Sequence, residues 1–426
     1  MASSSSTTSA PALPPTMRAW QFTSTHGGLE KNLFLNNSAP LPVPPHDAAK
    51  SLGPDRVLVQ VVAAALNPVD YKIAELPVVG RLAIKTPSSP GLDFAGRVVA
   101  VGNTPPGHTG PPVPFPAAGP VSDSPTTPAG AASAASGSDV KVGQLVFGRL
   151  DSPTQFGTLA EYTVARRAGL AAVPEGVTLQ DAAGVATVGL TAYQAIVPNV
   201  PTEGGIEGGG GGSSSGGKRP RPSRVFINGG SGGVGVWAIQ IAKALGCYVV
   251  ASCSGRNAEL CKSLGADEVL DYTQQDVLGA LKKMSTTPDT TSTGVSSSSS
   301  PYESSNKFDL VVDNVGNSDA LYWQCHHFTT PRAKYVQVGA GISASAALQM
   351  VMKMLWPGFL GGGKRKLHVL MVSSDAAQLA RIAGWMAQRK VKAVVDEVVP
   401  MEDAPRAFEK LKTGHARGKI VVAVSE

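Results

Sequence analysis

The residues with the clearest chemical potential lie in one run, Arg224-Val-Phe-Ile-Asn-Gly-Gly-Ser-Gly-Gly-Val-Gly-Val-Trp-Ala-Ile-Gln-Ile-Ala-Lys-Ala-Leu-Gly246. Gly230, Gly232 and Gly235 satisfy G-x-G-x-x-G, with Ser231, Gly233 and Val234 between them. In such a loop the first glycine permits a tight turn. The second lets backbone approach a pyrophosphate, and the third lets helix and strand pack closely. Val225–Ile227 predicts a strand before the loop, and the apolar residues after it predict a helix. That helix would offer unpaired N–H groups and its positive dipole end to phosphate. A bare glycine pattern means little in a chain with 48 Gly. Flanked by strand, helix and a second strand at Cys247–Ala251, it reads as a dinucleotide site, with a purely structural glycine turn as the alternative.

Cofactor choice is written about 20 residues past the first glycine. Ser252 stands where an enzyme using NAD would place a carboxylate on the ribose diol. Ser254 and Arg256 follow, and a guanidinium matches a 2′-phosphate in shape and charge. The pattern therefore predicts NADPH. Arg256 could instead be a surface residue at a helix start. Tyr272 could donate to the same phosphate or pack in the core.

Two textures surround these residues. Residues 17–180 are strand-like, with β-rich runs at Arg56–Ala63, Arg97–Val101 and Gln144–Phe147 between turns. From about Asp181 helix and strand alternate. Strands are expected at Val225–Ile227, Cys247–Ala251, Glu268–Leu270, Leu310–Val312, Tyr335–Val338 and Leu367–Val372, the order of a doubly wound parallel α/β sheet. The tail reads helix (Asp375–Gln388), strand (Val394–Val399), helix (Glu402–Leu411) and strand (Lys419–Val424). Residues 103–138, 201–223 and 285–306 lack the apolar residues that offset the entropy of ordering and read as low-complexity insertions. Residues 1–16 read as a disordered tail.

Composition excludes several classes. No window approaches 18 uninterrupted apolar residues, so no membrane span is expected. The 37 basic residues are spread along the chain with 31 acidic ones, which argues against nucleic acid. The basic knot Lys218–Arg224 reads as a solvated loop. Cys247, Cys253, Cys261 and Cys325 form no C-x-x-C, and free thiols in a reducing compartment are expected.

Six further motifs extend the reading. They are Asn67-Pro-Val-Asp-Tyr-Lys72, Pro90-Gly-Leu-Asp-Phe-Ala-Gly96, Gly189-Leu-Thr-Ala-Tyr193, Ser263-Leu-Gly-Ala-Asp-Glu-Val-Leu-Asp-Tyr272, Asp309-Leu-Val-Val-Asp313 and Gly414-His-Ala-Arg-Gly-Lys419. With the glycine loop, they make the chain resemble the medium-chain dehydrogenase/reductase superfamily, in its zinc-independent quinone oxidoreductase-like branch. It is similar to plant chloroplast-envelope quinone oxidoreductase homologues and fungal relatives. The resemblance implies a GroES-like β-barrel domain at 17–182 with 374–426 packing back on it. It also implies a Rossmann domain at 183–373 and a cleft between the two. Asn67, Tyr71 and Lys72 would border the nicotinamide. Many relatives carry tyrosine where this chain has Lys72, so Lys72 would steady a substrate oxygen or the cofactor, Tyr71 being a weaker donor. Thr191 would approach the nicotinamide ribose and Asn314 the cofactor, or both would cap turns. Asp313, Arg417 and Lys419 read as scaffold.

Zinc members of the superfamily use Cys and His ligands. This chain has no cysteine before Cys247, and it has Gly91-Leu92-Asp93 where the zinc branch has Gly-His-Glu. His26, His46 and His108 lie in turn-rich or low-complexity sequence. No metal is expected. Without a Lewis acid, hydride addition to a quinone or to the C=C bond of an α,β-unsaturated carbonyl is favoured, because the charge spreads into a conjugated oxyanion. The alternatives are the enoyl reductase partner of a synthase and a non-catalytic NADPH-binding interaction protein. A homodimer and a cytoplasmic location are expected, with a peripheral place at chloroplast or mitochondrion as the other option.

Overall fold

The computed structural model describes residues 13–76, 80, 84–103, 140–200, 221–286, 306–316, 319–339, 344–356 and 362–425. Most of the three insertions, and His108 and Lys218 with them, lie outside these residues. The first half is antiparallel: β1 (Thr16–Gln21), β2 (Phe34–Pro40), β3 (Arg56–Ala65), β4 (Asp93–Val101), β5 (Leu145–Arg149), β6 (Tyr162–Arg166) and β7 (Leu170–Ala172). The second half supplies β8 (Arg224–Asn228), β9 (Tyr248–Cys253), β10 (Glu268–Asp271), β11 (Phe308–Asp313), β12 (Thr329–Gln337) and β13 (Lys366–Val369). These six run parallel in the order β10-β9-β8-β11-β12-β13. The last strands, β14 (Val395–Pro400) and β15 (Lys419–Ala423), leave that sheet. β15 pairs antiparallel with β3 and so joins the first one.

The central strands β8, β9 and β11 are buried on both faces, as their apolar composition requires. Val225 and Ile227 face one core with Val249, Ala251 and Val312, while Phe226 faces another with Val250, Phe308 and Tyr335. Phe308 stands edge-on between Phe226 and Phe328. The helix Ala186–Ile196 is buried along almost its whole length and packs on the glycine-loop helix Gly233–Ala244, on β4 and β5, and on the helix Ala376–Ala387. Its residues share one core with both halves of the chain.

Four expectations shift. β12 begins at Thr329 rather than Tyr335, because its register with β11 is broken between Phe308 and Leu310. Thr329-Thr-Pro-Arg332 therefore carries no alternating signal. β13 stops at Val369, opposite the last residue of β12. The basic knot is not wholly solvated. Arg221 makes paired bonds of 2.9 and 3.0 Å to Asp309, and the Arg224 guanidinium lies 4.2 Å from the centre of the Tyr248 ring. Likewise Ser285 ends up buried, in the last turn of the helix Val277–Thr286.

Candidate active site

Strand order reverses between β8 and β11, so a crevice opens at their carboxyl ends, the place where open α/β sheets bind ligands. The glycine loop rims it. Gly229 has φ +78 and turns the chain out of β8. A Cβ at Gly230 would press on the Ala251 side chain, and one at Gly235 would be driven into the Gly229 carbonyl. A Cβ at Gly232 would meet only the Gly229 oxygen, at 3.7 Å. The outer glycines therefore allow close packing, while the middle one leaves an open approach. The first helical turn, Gly233, Val234 and Gly235, carries N–H groups with no acceptor inside the helix. On the other rim, both amide atoms of Asn314 are buried without a partner among the described residues. An open backbone cradle faced by an orphan amide fits a dinucleotide.

The residues expected to choose between cofactors lie at the ends of β9 and β10. Ser254 is half-buried, and Gly255 and Arg256 form an exposed 3-10 turn. Tyr272 is 55% exposed, which removes core packing as its role. Ser252 departs from the sequence reading. Its hydroxyl donates to Asn228 Oδ1 at 2.6 Å and accepts from Gly229 N at 3.1 Å, at 1% exposure. The loop consumes its polarity, and both hydrogen bonds of the hydroxyl stay within the protein. Asn257, which sequence reasoning missed, donates to Ser231 Oγ at 3.1 Å and Ser254 Oγ at 3.4 Å. Its signal was faint: an Asn before a helix reads simply as a cap.

A second, closed cluster lies at the end of β3. Asn67 N donates to Asp70 Oδ2 at 2.7 Å and so starts the helix Pro68–Lys72. Asn67 Nδ2 donates to Asp93 Oδ2 at 2.9 Å, and Lys419 Nζ donates to Asn67 Oδ1 at 2.7 Å and Leu66 O at 2.6 Å. Asp93 also accepts from Thr187 Oγ1 at 2.6 Å and Thr187 N at 3.1 Å. Arg149 Nε reaches Thr187 Oγ1 at 3.1 Å, and Thr191 Oγ1 donates to Thr187 O at 2.6 Å. Burial pushes the Asp70 carboxyl up to about 7, and nearby Asp93 adds to the shift. Burial lowers the Lys419 ammonium, against the pull of Asp93 and Asp70.

The three residues around the Pro68 turn thus separate. Asn67 faces the cluster, bonded to Asp70, Asp93 and Lys419. Tyr71 lies under the Lys412 ammonium, 5.1 Å from its ring, beside the Lys412 pairs with Glu30 and Glu75. Burial, with help from Glu75, raises the Tyr71 phenol. Lys72 is half-buried, and that burial lowers its ammonium.

Lys419 ties the two regions together. Gly418 N, one residue before it, donates to Ser231 O in the glycine loop at 3.0 Å. Reading Lys419 as scaffold caught its burial but not this link.

Zinc does not fit the cluster. Asn67, Leu92 and Thr187 present an amide, a buried alkyl chain and a hydroxyl, and the Lys419 ammonium lies 3.6 Å from Asp93. Among the described residues no three His, Cys, Asp or Glu side chains gather to hold a metal.

Residues 53–175 match the family model described as an alcohol dehydrogenase GroES-like domain, and residues 264–422 match that of a zinc-binding dehydrogenase. The trans-enoyl reductase pgmF of Aspergillus terreus is 46% identical over 420 residues, covering 98% of this chain and 99% of that protein. The chloroplastic quinone-oxidoreductase homolog of Spinacia oleracea is 28% identical, covering 95% of this chain and 98% of its own. The structure of the quinone oxidoreductase from Coxiella burnetii aligns with TM-score 0.66 at 25% identity, covering 96% of this chain and 99% of that one.

Proposed function

From the premise that this chain belongs to the medium-chain dehydrogenase/reductase superfamily of oxidoreductases, we propose that it is an NADPH-dependent, zinc-independent reductase. Its substrates are the C=C bond of α,β-unsaturated carbonyls or quinones. The observation that carries the reading is the full-length likeness, at 46% identity, to a trans-enoyl reductase. The same likeness favours an enoyl C=C bond over a quinone as the substrate.

Bound NADPH would supply the hydride from its nicotinamide ring. The chain's residues hold and orient. N–H groups of Gly233–Gly235 take the pyrophosphate. Ser254, Arg256 and Tyr272 take the 2′-phosphate, and the Asn314 amide faces the cofactor from the opposite rim. Lys72 donates to the substrate oxygen as negative charge gathers there, with the Tyr71 hydroxyl as the weaker donor. Asn67 and Thr191 fix the turn and the helix that face the nicotinamide. The final proton comes from solvent or a bound water.

No helix among the described residues is long and apolar enough to cross a membrane. A homodimer in the cytoplasm belongs to the same proposal. Turnover assays with NADPH against panels of enones, enoyl thioesters and quinones test it, alongside elemental analysis. Activity without stoichiometric zinc is expected. NADPH binding without turnover of any panel member would leave a non-catalytic binding protein. Zinc lost together with activity would overturn the metal-free reading.

A further inference from the structure

We propose that Asn257 is a positioning residue for cofactor selection, setting the Ser231 and Ser254 hydroxyls as donors toward the phosphates of a dinucleotide. The inference rests on the NADPH reading above and adds a residue to it.

Asn257 is 5% exposed and ends the 3-10 turn Gly255–Asn257, whose other two residues, Arg256 among them, are exposed. Its amide nitrogen sits between two hydroxyls from separate elements, Ser231 in the glycine loop and Ser254 at the end of β9. An amide nitrogen has two hydrogens and accepts nothing. Each serine oxygen that receives one of them must direct its own proton elsewhere. Ser231 and Ser254 are both half-exposed at the crevice, so those protons are available to a ligand. Two outward donors next to the turn that carries Arg256 suit an anion. A ribose diol, itself a donor, would gain more from hydroxyls left free to accept.

The two hydroxyls have different reach. Ser231 lies in the pyrophosphate cradle that any dinucleotide uses. Ser254 lies at the strand end that distinguishes a 2′-phosphate from a 2′-hydroxyl. Asn257 therefore couples general affinity to discrimination. The Asn257 oxygen does not compete for the serines, being buried without a partner among the described residues.

Asn257→Asp keeps the shape and reverses the polarity. The serines would turn their protons inward to the carboxylate and present lone pairs to the phosphates. Dissociation constants for NADPH and NADH, titrated at fixed salt with the full chain, should show both cofactors weakened. NADPH should lose about tenfold more than NADH, the scale of one charged hydrogen bond. Repulsion from the new charge would give a similar loss, so the same substitution is repeated in Ser254→Ala and Ser231→Ala proteins. In the Ser254→Ala protein the extra NADPH loss should vanish, while in the Ser231→Ala protein it should persist. An undiminished loss in the Ser254→Ala protein assigns the effect to charge and overturns the proposal. So does an unchanged cofactor ratio in Asn257→Asp. If the Asp variant does not fold, Asn257→Ala should lower the NADPH preference in the same direction, with the same dependence on Ser254, and no change in its preference rejects the inference. Failure of the NADPH reading is separate, since it would appear as equal affinities in the unsubstituted protein.

Discussion

The glycine loop and the Asn67–Lys419 cluster meet at neighbouring residues, Gly418 and Lys419, yet they handle polar groups in opposite ways. At the loop, the N–H groups of the first helical turn have no acceptor inside the helix, and the Asn314 amide is buried without a partner among the described residues. In the cluster, Lys419, Asn67, Asp93 and Thr187 spend their polarity on one another. Unpaired buried polar groups cost stability unless a ligand satisfies them. A protein keeps such groups where something binds. A satisfied buried network fixes geometry instead, and here it fixes the Asn67–Lys72 turn against the helix Ala186–Ile196. The single polar exception in the cluster is Asp70, whose Oδ1 has no partner among the described residues.

The sharpest way to break this contrast is Lys419→Met. It removes the ammonium from Asn67 and Leu66 and leaves Asp93 buried beside an apolar chain. Loss of one partner of a buried ion pair costs about 3–5 kcal/mol. A urea midpoint close to that of the unsubstituted protein would show that the cluster is not closed in the sense argued.

Asp70→Asn tests the exception. The folded carboxyl is raised from an ordinary 3.8 to about 7, so the native state holds its proton more tightly than the unfolded chain does. Its contribution to stability is whole below pH 3.8 and is lost as pH climbs to about 7. Asparagine keeps an acceptor for Asn67 N and carries no charge. At pH 8 the variant should be more stable than the parent by up to roughly 4 kcal/mol, read as a higher unfolding temperature. The advantage should shrink toward pH 4. Equal stability at both pH values would mean Asp70 is not held in the way its burial suggests.

On the open side the effects are smaller and fall on ligand binding. Arg256→Ala should weaken NADPH by roughly 1.5–3 kcal/mol, about 10- to 150-fold, and leave NADH nearly untouched. If both weaken together, Arg256 is structural; if neither changes, Tyr272 is the next candidate for the phosphate. The smallest change is expected at Arg221, whose pair with Asp309 is two-fifths exposed on the arginine side. Arg221→Ala should cost no more than about 1 kcal/mol in a denaturation curve and should not affect cofactor affinity.

The open region was legible in the chain because its chemistry is backbone chemistry. Gly230, Gly232 and Gly235 lie within six consecutive residues, and what they permit follows from lacking a side chain. Strand periodicity likewise placed β8, β9 and β11 to within about two residues, since buried parallel strands read as short apolar runs. The closed region was not legible. Asn67, Asp93, Thr187 and Lys419 are separated by up to 352 positions, and no local pattern says that an amide, a carboxylate, a hydroxyl and an ammonium converge. Local sequence also could not show that the Ser252 hydroxyl turns inward while Tyr272 projects to solvent, or that Asn257 spans two elements. Those outcomes depend on which strands become neighbours, and that is set when β15 crosses to β3 and the helix Ala186–Ile196 packs between the two sheets. The sequence alone determined that a phosphate cradle exists; tertiary packing decided which side chains face it, because the direction of a side chain is fixed by partners distant in the chain.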